Sequence, residues 1–599
     1  MRAPRVHITD NRSFAEKKVD KKYTLARLFK YLKPSLALFI FVVLGNIFAV
    51  ALSLLGPYIC GLAIAEIKVD GSTDFTAITR YCVILLVVYV ISEIVNYLTT
   101  IGMAAVARRM TKTMRGDLFS KLVHLPVGYF DSRQAGDVIS VLSYDIDTVG
   151  VSLANDIVLV LKSVVQIVGS LVMMLVIAAP LVLVFAVTIP LSLLTTRIIA
   201  KKVHPLFRKR SAKLGELNGF GEEMLGGQKT TKAYNREEEI LEQFELRNKE
   251  AAEAYTKAEF NGTISGPAVN FINNLSLTLI STLGALMFAF GWGGIGVTQI
   301  SSFVLYSRKF SGPINEIANV FGEFQSSIAA AERVFRVLDE KEEGVDDCNE
   351  YTLDNVHGEV SIENLSFGYI PERTIIKNFD LRANKGDLIA IVGHTGAGKT
   401  TIINLLMRFY DADAGVIKID GKDITRVKRE DVRKAFTMVL QDTWLFAGTV
   451  YENIAYGCEN ATRERVEEVC KAAKIHSFIT CLPQGYDTYL TDNAVNISKG
   501  QKQLLTIARA MLSDSPMLIL DEATSNVDTR TEQIIQSAMT TLMVGRTCFV
   551  IAHRLSTIKD ADNILVMEDG NVVEQGTHES LMKSGGTYAK LYASQFESY

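Results

Sequence analysis

Six apolar runs dominate the first 325 or so residues: Ser35–Ala65, Thr79–Ala105, Ala154–Ala178, Leu181–Ile199, Phe260–Phe290 and Ile295–Phe321. Each is near or above the ~20 residues that a helix needs to cross a hydrocarbon core about 30 Å thick. The pattern predicts a six-helix transmembrane domain over 34–325, preceded by a lead-in over 1–33 in which Tyr23 to Leu32 form an amphipathic helix at the membrane surface. Two connections are long and basic: Ala104–Gly150 carries six Lys/Arg and Lys201–Lys257 twelve, against only Lys68 and Arg80 in the opposite loops. The positive-inside rule puts those connections and both termini in the cytoplasm. Helical periodicity persists through them, so membrane helices are expected to run on into the cytosol. Their turns should fall at "GYFDSRQAGDVIS" and "EEMLGGQKTTKAYNREEE", where Gly136, Gly226 and Gly227 lie.

Past a linker over 326–357 the pattern changes to short β-rich runs alternating with helices, which predicts an α/β domain over 358–599. The chain is therefore multi-domain, all-α in the membrane and α/β beyond it. Net charge is −3, so nothing favours a nucleic-acid partner. Seven scattered cysteines without paired spacing suit a reducing compartment, with neither a disulfide framework nor a zinc site. The basic N-terminus lacks the short apolar core and cleavage site of a signal peptide. Within the spans stand Asn46, Glu93, Asn96, Lys162, Gln166, Asn273, Asn274, Arg308 and Lys309. Such residues contact cargo, glue helices together, or sit nearer the interface; spacing alone leaves these readings open.

The chemistry lies in the α/β half. The strand "DLIAIV" runs into "GHTGAGKTT" and then a helix, the context of a phosphate loop: Gly393, His394, Thr395, Gly396, Ala397, Gly398, Lys399, Thr400, Thr401. The glycines let backbone N–H groups curl round phosphate oxygens, and the helix start adds partial positive charge. Lys399 is expected on the β- and γ-phosphates and the Thr400 hydroxyl on Mg²⁺. The buried strand "MLILDE" ends in Asp521, placed for the Mg²⁺ shell, and Glu522, placed to polarise an attacking water. A third buried strand ends in His553; lone histidines are ordinarily core residues, but ligands gather at the carboxyl ends of such sheets.

A second candidate grip is "NISKGQKQLL". Ser498 and Gln501 have capping-box spacing at a helix start, which satisfies orphan N–H groups and also makes an anion site. Spacing alone weighs the two equally.

In order and spacing these motifs resemble the nucleotide-binding domain of an ATP-binding cassette (ABC) transporter, and with the spans the whole chain resembles an exporter-fold (type IV) half-transporter. The resemblance implies that Tyr369 stacks on adenine, that Gln441 (the Q-loop) joins the nucleotide and Mg²⁺ shell, and that Asp528 ends the D-loop. It makes "ISKGQ" the signature, with Ser498, Gly500 and Gln501 facing the γ-phosphate of ATP held by a second cassette, and His553 the switch histidine. It makes the two tips coupling helices. Glu522, His553, Lys399 and Gln441 become the catalytic set, with ATP and Mg²⁺ bound between two half-transporters.

Ile497 and Lys499 depart from the usual Leu-Ser-Gly-Gly-Gln, as do "LTDNAVN" upstream and "SNVD" in the D-loop. With Glu522 intact, this resembles the catalytically complete half of heterodimeric multidrug exporters in bacteria, and favours a different partner chain over self-pairing. The expected function is ATP-driven export of amphipathic or lipophilic compounds from a multi-pass membrane protein in contact with lipid. Alternatives are a lipid flippase, a peptide exporter, an importer of metal chelates and, in another class, an ATP-gated channel or regulatory protein.

Overall fold

The computed structural model describes residues 21–67, 73–292, 295–343, 351–370, 372–441, 443–458, 460–491, 497–521, 528–552 and 558–596. They form a helical unit, Lys17–Ser120 with Ile139–Asp339, and an α/β unit, Lys121–Val138 with Glu340–Tyr599.

In the helical unit a short helix α1 (Lys21–Leu32) precedes α2 (Leu36–Ala65) and α3 (Phe75–Val123). Two short helices follow in the chain, α4 (Val127–Asp131), which belongs to the α/β unit, and α5 (Ala135–Ser140), which returns to the helical one; a π-turn at Val141–Asp145 then leads into α6 (Ile146–Gly226). There follow α7 (Gln228–Tyr234), α8 (Glu237–Thr263), α9 (Ser265–Ala289) and α10 (Val297–Leu338). Among the described residues, four helical stretches are long and apolar enough to cross a bilayer: 22–65, 75–123, 135–226 and 237–289. The third holds two of the expected runs and breaks between them at Ala178 (φ −159°, ψ 77°), two residues before Pro180. The sixth expected run lies in α10, which is less apolar because it carries Arg308, Lys309 and Glu316, and which continues to Leu338 through the first part of the segment read as linker.

Helices α2, α6, α9 and α10 share a core of Val50, Leu54, Met174, Phe185, Ile280 and Phe303. Small residues permit the close approaches. A Cβ on Gly61 would fall 1.9 Å from Ser302 Oγ, so any larger residue here would force the Ser302 hydroxyl out of its place between α2 and α10. Around Pro57, Ser302 Oγ and Tyr306 Oη donate to the carbonyls of Pro57 and Leu54, at 3.1 and 2.5 Å. Phe41, Leu44, Leu86 and Leu98 stand exposed on the outside, as a lipid solvent requires. The cytoplasmic extensions are tied by ions instead. The π-turn delivers buried Asp145 to a bidentate pair with Arg333, at 2.6 and 2.8 Å. Helix α1 packs by Arg27 on the Phe335 ring and on Asp339, and by Tyr31 on Asp117.

The α/β unit has two main sheets. Strands β1 (Val360–Phe367), β2 (Ile376–Ala383), β4 (Ala414–Ile419) and β5 (Lys422–Asp423) form an antiparallel sheet in the order β2-β1-β4-β5. Strands β3 (Leu388–Gly393), β6 (Phe436–Val439), β9 (Met517–Asp521), β10 (Thr547–Ile551), β11 (Asn563–Glu568) and β12 (Asn571–Gly576) form the other, in the order β12-β11-β3-β10-β9-β6. A small pair, β7 (Gly448–Thr449) and β8 (Tyr489–Leu490), stands apart. The β3, β6, β9, β10 and β11 strands are mutually parallel, and their near-continuous apolar character reflects burial on both faces. Alternation sorts their side chains into two cores. Ala390, Val392, Leu518, Leu520 and Val550 face one side, and Ile389, Ile391, Met517, Ile519 and Phe549 the other.

Candidate nucleotide site

Strand β3 ends in Gly393 (φ 152°), and the loop climbs through Gly396 (φ 86°) and Gly398 (φ 101°) into helix Lys399–Leu406. These are left-handed conformations that side chains rarely adopt. A Cβ at Gly393 would also lie 2.3 Å from the Met567 carbonyl oxygen, so the tight turn admits only glycine. His394, Thr395 and Gly396 are exposed at the rim while Ala397 and Gly398 are buried beneath. Lys399 folds back across the loop, its Nζ donating to the carbonyl oxygens of Gly393 (2.6 Å) and His394 (3.0 Å). Burial lowers its pKa, an effect that the nearby Asp521 carboxylate opposes. The ammonium is thus held at the loop's centre without a neutralising partner close enough to offset desolvation, which suits a group that receives phosphate.

Parallel pairing of β9 and β6 brings Asp521 and Gln441 towards one end of the same sheet. Asp521 ends β9 and has the alternation parity of Met517 and Ile519, whose face also carries the helix Lys399–Leu406. Gln441 follows β6 by two residues and is exposed. Glu522 and His553 lie outside the described residues. Thr400 is exposed at the helix start and Thr401 is buried. The Thr400 hydroxyl and Asp521 carboxylate are hard oxygen donors of the kind Mg²⁺ takes.

Tyr369 is half-buried, its hydroxyl 3.4 Å from Thr401 Oγ1 and accepting from Asn404 Nδ2 at 3.1 Å. Its ring meets Phe367 and Tyr410 edge to face, both at 5.0 Å between centroids. Tyr410 was not anticipated, and it connects this cluster to the first tip. Its hydroxyl donates to Asp131 in α4 at 2.6 Å, across 279 positions of sequence, and Gly128 leaves room for its ring. Burial and then the Asp131 carboxylate push the phenol well above its usual pKa, so it remains a donor throughout the physiological range. The only signal in the sequence was an aromatic residue just beyond the phosphate-loop helix. Tyr410→Phe keeps the aromatic contacts and removes one bond to a carboxylate, worth about 1.5–3 kcal/mol. Its expected result is near-normal basal ATP hydrolysis, with cargo stimulation of that hydrolysis reduced by about fivefold or more. Unchanged stimulation would show that the bond carries no signal.

The capping box that the spacing of Ser498 and Gln501 implied is formed. Ser498 caps helix Lys499–Ser513, its Oγ accepting from Gln501 N–H (3.3 Å) and its own N–H donating to Gln501 Oε1 (2.9 Å). Gly500 is buried and Ser498 exposed. Asp528 caps the next helix, Thr529–Met543, accepting from Thr531 N–H at 3.0 Å, a bond that lowers its pKa. The helix Lys499–Ser513 packs by Leu504, Leu505, Ala508 and Met511 on the face of Ala390 and Val392. The phosphate-loop helix packs by Ile402, Ile403 and Leu406 on the opposite face, with Ile389 and Ile391. Within one chain the helix capped by Ser498 and the phosphate-loop helix therefore pack on opposite faces of the parallel sheet.

Comparison with known proteins agrees with this architecture. Residues 39–314 match the ABC transporter transmembrane region and residues 376–525 the ABC transporter domain. An uncharacterised ABC transporter ATP-binding protein of Bacillus subtilis is 41% identical over 581 residues, 96% of this chain and 95% of its own. A fatty acid ABC transporter ATP-binding/permease protein of Mycobacterium tuberculosis is 41% identical over 518 residues, 86% of this chain and 82% of its own. An ATP-dependent lipid A-core flippase of Hahella chejuensis is 33% identical over 585 residues, 97% of this chain and 99% of its own. The apolar helices and the phosphate loop on one polypeptide thus make this chain a member of the ABC transporter family, an exporter-fold half-transporter of the bacterial membrane whose cassette hydrolyses ATP to drive export.

Proposed function

We propose that the chain exports amphipathic, lipid-like compounds by alternating access, as one half of a dimer that sandwiches ATP between two cassettes. The observation that carries the dimer is the separation of the two grips. A helix start on one sheet face cannot close over a phosphate loop packed on the other, so each needs a complement from a second chain. Ile497, Lys499 and the residues before and after them favour a different chain as that complement. The lipid-like cargo is supported by relatives named for fatty acid and lipid A-core.

In this reading backbone N–H groups of Gly393–Thr401 cradle the phosphates, and Lys399 exchanges its loop carbonyls for the β- and γ-oxygens. Thr400, Asp521 and Gln441 would hold Mg²⁺, which supplies charge neutralisation on the phosphates. Glu522 polarises the attacking water and His553 stabilises γ-phosphate charge. ATP binds the closed pair of cassettes better than the open one. That differential affinity shifts the population, and hydrolysis resets it. Tyr410 and Asp131 link the nucleotide side to the first tip.

The test is reconstitution of the full chain, with its native partner, into vesicles. The expected result is ATP-dependent accumulation of a fluorescent lipid-like amphiphile against its gradient, with ATPase stimulated by the same compound. An ATP-gated current without uphill accumulation would replace export by a channel reading.

A further inference from the structure

Several polar side chains within the spans have partners close by. Gln166 donates to the Lys309 carbonyl at 3.1 Å, Ser163 to Glu316 at 3.3 Å and Asn96 to Glu93 at 3.4 Å. The first two bonds run α6 antiparallel to α10, and so bring Lys162, one turn from Gln166, alongside the Lys309–Glu316 stretch. Both lysines are half-buried. Lys309 senses the charges of Lys162 and of Glu93 on α3, yet among the described residues neither ammonium has a carboxylate within ion-pair distance. The two nearby acids are engaged by Asn96 and Ser163.

Depth makes this unusual. Lys309 lies twelve residues into α10 from Val297, about 18 Å, and Lys162 sixteen residues before the break at Ala178, about 24 Å. Both fall inside a ~30 Å core, in the half nearer the cytoplasmic extensions. Like charges at that depth are retained where something anionic comes to meet them.

We propose that Lys162 and Lys309 form an anion-recognition pair in the membrane domain, which takes the acidic headgroup of an amphiphilic cargo, a carboxylate or a phosphate monoester. The proposal rests on the export reading and narrows its substrate class. Headgroup charge selects the compound, and the apolar walls accept its tail without demanding one structure.

The experiment compares three single-chain amphiphiles of matched tail: oleate, oleoyl lysophosphatidate and neutral monoolein. Each is titrated against the full complex for ATPase stimulation, and for thermal stabilisation in the absence of ATP. The acidic compounds should act at concentrations at least tenfold below monoolein. Lys162→Gln with Lys309→Gln should erase that difference by weakening the acidic compounds only, and the paired Arg variants should preserve it. Lys162→Glu with Lys309→Glu should reverse it in favour of oleylamine. A response to only one of oleate and lysophosphatidate supports the pair and identifies the headgroup. Equal response to acidic and neutral compounds in the unaltered protein, or an acidic preference surviving the Gln pair, overturns it. Thermal stabilisation by oleate that the Gln pair abolishes, without ATP-driven accumulation of any amphiphile, keeps the site and rejects export.

Discussion

Glu522→Gln is expected to bind ATP at near-normal affinity and to hydrolyse it about 10²–10⁴-fold more slowly, the loss typical of a general base. The substitution leaves the phosphate loop, Lys399 and Thr400 untouched, so the groups proposed to hold nucleotide remain. What is lost is the carboxylate next in sequence to Asp521, the residue that ends β9. Because closure by ATP is proposed to precede hydrolysis, the variant should also accumulate the ATP-bound, closed dimer. Single-turnover phosphate release, together with nucleotide retained through rapid gel filtration, separates the two effects. An unchanged rate would move the chemistry to another residue or to the second chain's cassette.

Ser498→Asp is expected to leave the fold intact and to reduce ATP hydrolysis by roughly 10- to 10³-fold. Aspartate is as good an N-cap as serine, so the bond to Gln501 N–H, and with it helix Lys499–Ser513, should survive. If capping were the only duty of this residue, the change would be almost silent. If the helix start faces a γ-phosphate, a new carboxylate near 4 Å from it opposes binding by about 1–4 kcal/mol per charge pair, depending on how far closure excludes water. Ser498→Ala makes the complementary comparison, since it should cost about 1 kcal/mol of stability by removing the cap. A thermal melt and an ATPase assay on both variants distinguish cap from ligand. Full activity in Ser498→Asp would assign the motif to helix capping alone.

Much of this was legible in the sequence, for identifiable reasons. The apolar runs are read directly because lipid forces backbone hydrogen bonds inside each segment. The phosphate loop is read because positive φ at Gly396 and Gly398 restricts those positions so severely. The capping box at Ser498 is local and follows from spacing of three. What stayed hidden is non-local or marginal. Nothing near Tyr410 indicates that its hydroxyl reaches Asp131. The sixth run was read, but its continuation as helix to Leu338 crosses a segment whose composition reads as linker. The intramembrane lysines were visible as residues; only the α6–α10 register, set by Gln166 and Ser163, brings them together.

One chain is proposed to be unable to complete an ATP site by itself. Native mass spectrometry of the Glu522→Gln complex, extracted from its own membrane and loaded with ATP, tests this most directly. The expected particle holds two cassette-bearing chains, whether identical or different, with ATP retained only while both are present. A single chain that retains ATP alone, and turns it over when Glu522 is restored, would contradict it.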